Sequence, residues 1–247
     1  MERGRQLIRP VRKINGLVHH PRWLNEASGG EKAKSAEQPM VKSFYRRQRR
    51  FFEALAEEPT MTLTELYSRS GIGAEQAVQL RKHLEKQGLI NIHSINPGGR
   101  GKRFSCIEPT EKGLELIKKL GIDYRMAGKG GFIHRYWVWK VMRYMEAEGW
   151  VTRVEGEHPG VDDLADVSLE KDGKRVAVEV ELSGKHVAEN LSRDFDNGYD
   201  VVVVVVTTSK MEESVREIIS GSFSLWGERV LVVRACEFLN PQKEEDD

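Results

Sequence analysis

Three acidic side chains in the second half of the chain have the types and the spacing of a divalent-cation site. Glu179 and Glu181 lie two residues apart in the alternating segment 175–183, so a β-strand there would point both carboxylates to one face. Asp166 lies on the corresponding face of the preceding alternating segment, and a turn at 171–173 would bring it towards Glu179. Because clustered carboxylate oxygens suit Mg²⁺ or Mn²⁺, the spacing predicts a site for such a metal at these residues.

A structural alternative stays open for the same side chains. Glu179 and Glu181 could simply form a solvated strand face, paired with nearby cations such as Arg175, Lys185 and Arg193. Four further candidates for an additional ligand lie just before this segment: Glu146, Glu148, Glu155 and His158.

The segments that must position these carboxylates alternate between strand and helix patterns. We predict a helix over about 132–149, an early strand, strands at 165–170 and 175–182, a helix at 185–197, a strand at 199–207, a helix at 210–220 and a strand at 229–234. Six consecutive valines at 201–206 favour a central strand that is covered on both faces. This order indicates an α/β domain with a central mixed sheet over residues 130–240.

At these residues the chain resembles the PD-(D/E)xK, restriction-endonuclease-like superfamily. Asp166, the short turn and the triplet Glu179-Val-Glu181, followed by a helix and a hydrophobic strand, carry the resemblance. The resemblance implies metal-dependent hydrolysis of DNA phosphodiester bonds. It also implies that Asp166 and Glu179 hold the metal and that Glu181 takes part in catalysis, as a third ligand or by orienting the water. The chain departs from the pattern at the end of the triplet, where Glu181 stands in place of the usual lysine, and Lys185 is the candidate replacement.

The first half combines short helices with a basic hairpin. Helical periodicity begins near Phe44, and two further helices are separated by a turn at 71–73. Two short strands flank the glycine-rich basic segment 96–102, which predicts a hairpin with a positively charged tip, and a last helix covers 111–120. The helical period predicts inward-facing side chains in the third and last helices: Ala77, Leu80, Leu84, Leu114, Ile117 and Leu120. Polar or basic side chains of the third helix and the hairpin are the candidate contacts with bases and phosphates: Gln76, Gln79, Lys82, His83, Lys86, Arg100, Lys102 and Arg103.

This order, together with segments 84–90 and 109–114, resembles the winged helix-turn-helix regulators of the multiple-antibiotic-resistance type. The resemblance implies DNA as the partner and covers about a third of the chain. The expected fold is therefore an α+β winged helix-turn-helix at 45–125, followed by the α/β restriction-endonuclease-like domain. Residues 1–44 are expected to form a basic arm and flexible linker, and residues 241–247 an acidic tail.

Charge and composition agree with two different tasks for the two halves. Residues 1–130 contain 25 Lys and Arg against 14 Asp and Glu, a net charge of +11, whereas residues 131–247 contain 14 against 24, a net charge of −10. A basic half suits a polyanionic partner. Two cysteines far apart in the sequence predict neither a disulfide framework nor a zinc site, and no segment predicts a membrane span. We expect a cytoplasmic protein, with a homodimer as an open alternative.

Two functions follow as expectations. The first is a DNA-binding protein with a metal-dependent endonuclease domain. The alternative is a non-catalytic regulator or replication-associated DNA-binding protein, whose nuclease-like domain is degenerate. The acidic trio favours the first function, and the missing lysine favours the second.

Overall fold

A computed structural model of the protein describes residues 34–98, 103–155, 165–221 and 226–238. The chain divides into two compact units, Met1–Phe44 and Tyr45–Asp247. The described part of the first unit is the beginning of helix α1 (Lys34–Glu57). This helix begins ten residues before the periodicity at Phe44, within the segment expected to be a linker. Its first residues include Ala, Glu, Gln, Met and Lys, which favour helix on propensity alone.

The larger unit begins with helices and a hairpin in the expected order. The elements that follow α1 are α2 (Leu63–Arg69), α3 (Ala74–Lys86), β1 (Ile90–Ile95), β2 (Phe104–Pro109) and α4 (Glu111–Lys119). Thr62 starts α2 with a capping box, in which its hydroxyl accepts from the Glu65 N–H and the Glu65 carboxylate accepts from the Thr62 N–H. Gly88 follows α3 with a φ of 67°, a conformation that favours glycine and lets the chain turn into β1.

Burial in these elements follows the helical period. Ala77, Leu80 and Leu84 of α3 are buried on one face, as the sequence predicts. In α4, Ile117 is buried but Leu114, which was expected to point inward, is 41% exposed. The expectation for Leu114 was therefore wrong, and one apolar side chain of α4 faces solvent.

The rest of the unit is a five-stranded sheet with helices on both faces. Its elements are α5 (Phe132–Ala147), β3 (Val151–Val154), β4 (Val167–Lys171), β5 (Lys174–Glu181), α6 (Val187–Asp196), β6 (Val201–Val206), α7 (Ser209–Gly221) and β7 (Val230–Arg234). The strand order is β3-β4-β5-β6-β7. Strands β3, β4 and β5 are antiparallel, whereas β5, β6 and β7 are parallel. The sheet is therefore mixed, as predicted.

The two sheet faces have separate cores. Val178 and Val180 of β5 pack with α5, together with Val203 and Val205 of β6. The alternate valines of β6 pack with α6 and α7 on the other face. Five of the six valines of β6 are thus buried between two helical layers and Val201 is partly buried, which explains why this strand does not alternate between apolar and polar residues.

In the described residues the chain is thus a mixed α and β protein with seven α-helices, a two-stranded hairpin and a mixed five-stranded sheet. None of the helices in these residues combines the length and the apolar character that a membrane span needs.

Candidate functional site

The β4–β5 hairpin brings Asp166 to Glu179. Asp172 and Gly173 both have positive φ angles, 51° and 76°, which is the backbone of a tight two-residue hairpin turn. The turn sets a register in which Val167 lies opposite Val178, so the residue before Val167 lies beside Glu179. Asp166 Oδ2 accepts a hydrogen bond of 2.8 Å from the backbone N–H of Val180.

Helix α6 covers the two glutamates of β5. The Asn190 side-chain amide donates from Nδ2 to Glu179 Oε2 at 3.0 Å and to Glu181 Oε1 at 3.4 Å. Arg193 donates from Nη2 to Glu179 Oε1 at 2.7 Å. Glu181 Oε2 accepts from the backbone N–H of Gly184 at 3.1 Å. The residues predicted from the alternation of the two strands therefore lie in one hydrogen-bonded cluster.

A fourth carboxylate, Asp194, belongs to the same cluster and was not predicted from the sequence. Arg193 contacts its Oδ1 from Nε at 3.2 Å and from Nη2 at 3.1 Å. Asp194 is fully buried, and its carboxylate hydrogen-bonds with the carboxyl group of Glu179, which donates while it is protonated. Its spacing from Val187 and Leu191 could have indicated this position, because the three residues share the apolar face of α6. We call Asp166, Glu179, Glu181 and Asp194 the carboxylate centre.

His134, near the start of α5, contacts Asp166 of the carboxylate centre. This contact was likewise not predicted from the sequence. The His134 Nε2 lies 3.0 Å from Asp166 Oδ2 and its Nδ1 lies 3.1 Å from the carbonyl oxygen of Lys129. Burial disfavours charge on the ring, but the hydrogen bond and the charge of Asp166 outweigh burial and raise the pKa of His134. With an acceptor at each nitrogen, the ring is best satisfied as an imidazolium that donates twice.

Full ionisation of the carboxylate centre would give more negative charge than its neighbours neutralise. Burial, followed by the charges of Asp166 and Asp194, raises the pKa of Glu179 to about 10, although the Arg193 guanidinium opposes the shift. Burial also raises the pKa of Glu181, against the hydrogen bond from Gly184. Four carboxyl groups thus share two contacting cations, Arg193 and His134, so that full ionisation would leave an excess of two negative charges.

The chemistry of these donors fits a divalent cation, although the side chains do not form a ligand set. Carboxylate oxygens are ligands that Mg²⁺ and Mn²⁺ prefer, and the buried carboxyl groups of Glu179 and Asp194 lie within hydrogen-bonding reach of each other. Within the described residues, however, no group of three or more His, Cys, Asp or Glu is arranged to hold a metal ion. Both oxygens of Glu179 already accept from Arg193 and Asn190.

The candidate lysine lies apart from this cluster. Lys185 is exposed, and within the described chain no hydrogen bond or ion pair joins its ammonium group to the carboxylate centre. Of the additional acidic candidates, Glu155 lies beside Asp166, because its backbone N–H donates to the Asp166 carbonyl at 3.3 Å. Its carboxylate pairs with Lys129 Nζ at 3.0 Å. His158 lies outside the described residues.

The predicted DNA-contacting side chains of α3 form a second candidate surface, which we call the α3 face. Gln79 donates to Glu75 at 3.3 Å within the helix, and Arg103 is exposed next to β2. Arg100 and Lys102 lie outside the described residues. The α3 face consists of five exposed residues: Gln76, Gln79, Lys82, His83 and Lys86.

Comparison of the chain with family models, curated proteins and solved structures gave no match.

Proposed function

We propose that this protein binds DNA through the α3 face and the β1–β2 hairpin, and hydrolyses phosphodiester bonds at the carboxylate centre with a divalent cation. The observation that carries the catalytic part is the convergence of Asp166, Glu179 and Glu181 around β5. Burial, and after it the charges of Asp166 and Asp194, raise the pKa of Glu179 to about 10, and full ionisation of the centre would leave a negative excess. A buried site with that excess takes up cations or protons, and a divalent cation supplies the charge that is missing.

The DNA-binding part rests on exposure, charge and element order. The helix-turn-helix presents amides and cations to solvent, and glutamine amides can pair with adenine while lysines pair with guanine or phosphate. The hairpin follows this helix as a wing would, and Arg103 is exposed at its end. The net charge of +11 over residues 1–130 adds a sequence-independent attraction to a polyanion.

At the carboxylate centre, Asp166 and Glu179 would hold Mg²⁺ or Mn²⁺. The cation would lower the pKa of a bound water and stabilise charge on the phosphate. His134 and the Val180 N–H fix the orientation of Asp166. Asn190 fixes the two glutamates relative to each other, and Glu181 orients the attacking water or accepts its proton.

A second candidate function is a DNA-binding protein without catalysis. It is favoured by the hydrogen bonds that Arg193 and Asn190 already make to both oxygens of Glu179. Cation binding at Glu179 requires Arg193 to release Oε1, and no lysine contacts the centre within the described chain. If Arg193 keeps this contact, the cluster is a closed structural network.

The test is cleavage of supercoiled and branched DNA by the full chain with Mg²⁺ or Mn²⁺. Glu179→Gln keeps the shape of the side chain but cannot ionise to bind a cation, so we expect cutting to fall roughly 100-fold or more. Glu170→Gln is the matched control, because Glu170 lies on neighbouring strand β4 and is exposed, and it should cut like the parent. DNA binding without cutting by the parent, over all DNA forms and both metals, supports the non-catalytic function.

A further inference from the structure

The β1–β2 hairpin, which is the predicted wing, packs against the α/β layer. Ile95 and Cys106 are fully buried in the same apolar cluster as Tyr136 and Trp137 of α5 and Val180 of β5. Burial also raises the pKa of the Cys106 thiol to about 12. The wing therefore shares a core with the sheet that carries the carboxylate centre, and the two cannot separate without exposing that core to water.

Polar contacts hold the same interface in one orientation. The His93 ring stacks on Phe132 with centroids 4.4 Å apart and an interplanar angle of 20°. Glu108 of β2 accepts from His93 Nε2 at 2.7 Å and also from the Arg135 guanidinium. Because stacking and hydrogen bonds depend on direction, these contacts fix the angle of the wing in addition to its position.

A second polar contact joins the start of the helical region to α5. Glu58, which directly follows α1, accepts from the indole Nε1–H of Trp139 at 3.0 Å. Lys140 Nζ lies 3.8 Å from the same carboxylate oxygen. The α3 face and the wing thus belong to a module that contacts α5 at two separate places.

The far end of the wing lies at the end of the sheet where Glu181 is found. A methyl group added to Gly98 would lie 2.6 Å from the carbonyl oxygen of Thr207, so the two backbones are in close approach. Thr207 directly follows Val206, whose register partner in β5 is Glu181. The wing packs on the α5 face, whereas α6 covers Glu179 and Glu181, but both reach the same end of β5 and β6.

From this juxtaposition we infer that the wing and the carboxylate centre form one rigid DNA-binding unit. A bound DNA strand crosses the end of β5 and β6 and reaches the carboxylate centre at a fixed distance from the wing. The inference rests on DNA being the partner, as proposed above, but it does not require cleavage. Exposed cations lie on both sides of this sheet end, with Arg103 on the wing and Lys185 after β5. They would contact successive phosphates along such a path.

Site-directed photo-crosslinking tests the inference. The probe is attached at Ser183→Cys, at the exposed end of β5, in a chain that also carries Cys236→Ser because Cys236 is only half-buried. The ligand is a labelled duplex that the protein enriches from a random-sequence pool. We expect the crosslinked positions on the duplex to fall at one fixed distance from the enriched sequence. They should spread over no more than roughly 3–4 base pairs, which is about a third of a helical turn. Ser220→Cys is the matched control, because it is also exposed but lies at the end of α7, and it should give at most background crosslinking.

The other outcomes are equally decisive. Crosslinks from Ser183→Cys that spread over a whole turn, or no crosslinks from a bound complex, overturn the inference. A pool without an enriched sequence also overturns it, because a fixed offset needs a fixed recognition position. A duplex that the protein does not shift in a native gel shows that DNA is not bound, and this result counts against the proposed function. Absence of cutting leaves the crosslinking result intact.

Discussion

The α3 face and the carboxylate centre place charge in opposite surroundings. Lys82 and Lys86 are exposed, so water already solvates them and no folding energy is needed to keep them charged. Glu179 and Asp194 are buried, at 4% and 0% exposure, and burial is the first cause of the raised pKa of each. One region keeps its charges available for a partner, whereas the other buries carboxyl groups whose full ionisation its own neighbours would not compensate.

The difference indicates how each region would act. Exposed cations attract a polyanion over a distance set by salt, and each one adds a small and separable contribution. Buried carboxylates form a coupled network, in which the loss of one member changes the protonation of the others. Substitutions in the α3 face should therefore have small, additive effects, whereas substitutions in the carboxylate centre should have large and interdependent ones.

The largest effect is expected from removal of the guanidinium that bridges the buried carboxylates. Arg193→Ala should lower the free energy of unfolding by about 2–3 kcal/mol, because Glu179 and Asp194 lose their shared donor. The expected loss is smaller than for a fully buried ion pair, since the arginine side chain is 36% exposed and water reaches it. Urea denaturation at neutral pH without divalent ions measures it.

Arg216→Ala is the matched control for this substitution. Arg216 pairs with Glu212 on the exposed surface of α7, with 57% of its side chain accessible, so its loss should cost at most about 1 kcal/mol. Arg193→Lys should fall between the two variants, because it keeps the charge but not the forked contact with both carboxylates. Equal losses for Arg193→Ala and Arg216→Ala would show that the carboxylate centre is no more coupled than a surface pair.

A smaller effect is expected in the pH dependence of stability. Folded Glu179 keeps its proton up to about pH 10, whereas the same group ionises near its ordinary pKa of 4.5 in the unfolded chain. Between these values the unfolded state binds fewer protons, so the free energy of unfolding decreases as pH rises. Denaturant midpoints measured in EDTA should therefore fall between about pH 5 and about pH 9.

Glu179→Gln should flatten this pH dependence and raise the midpoint at the alkaline end, because the amide cannot ionise. Glu170→Gln removes an exposed carboxyl group and should leave the pH dependence as in the parent. A parent protein whose midpoint rises over the same range would mean that Glu179 is ionised in the folded state.

The sequence predicted those parts of both regions that depend on short-range pattern. Strict alternation around Glu179 and Glu181, together with the two-residue turn before β5, was enough to place Asp166 beside them. The period of α3 was enough to separate Leu80 and Leu84 from the polar α3 face. In these segments the apolar and polar residues repeat with the period of the strand or helix, so the sequence pattern alone predicts which side chains share a face.

The parts that were missed depend on packing between elements distant in the sequence. His134 reaches Asp166 from a helix 32 residues earlier, and no local period indicates that pair. Asp194 carried a local signal, its place on the apolar face of α6, but its partners were not evident. The docking of the wing on α5 depends on Glu108 and His93 meeting Arg135 and Phe132, which pattern alone does not predict. Long-range polar pairs are specified by side-chain shape and direction, and these emerge only once the layers are assembled.

The smallest effect is expected in the α3 face. Lys82→Ala should weaken DNA binding modestly and reduce the slope of log affinity against log salt by about 1, because one phosphate contact and its released counterion are lost. Lys119→Ala is the matched control, since it removes the same charge from an exposed position at the end of α4 and should leave the slope unchanged. Fluorescence anisotropy over a salt series measures both slopes. Equal slope changes would mean that DNA binding depends on the net charge of the basic half as a whole, and that the α3 face makes no phosphate contact of its own. A change confined to Lys82 would locate the phosphate contact, and Gln76→Ala could then be tested on the same helix for a loss of sequence discrimination without a change of slope.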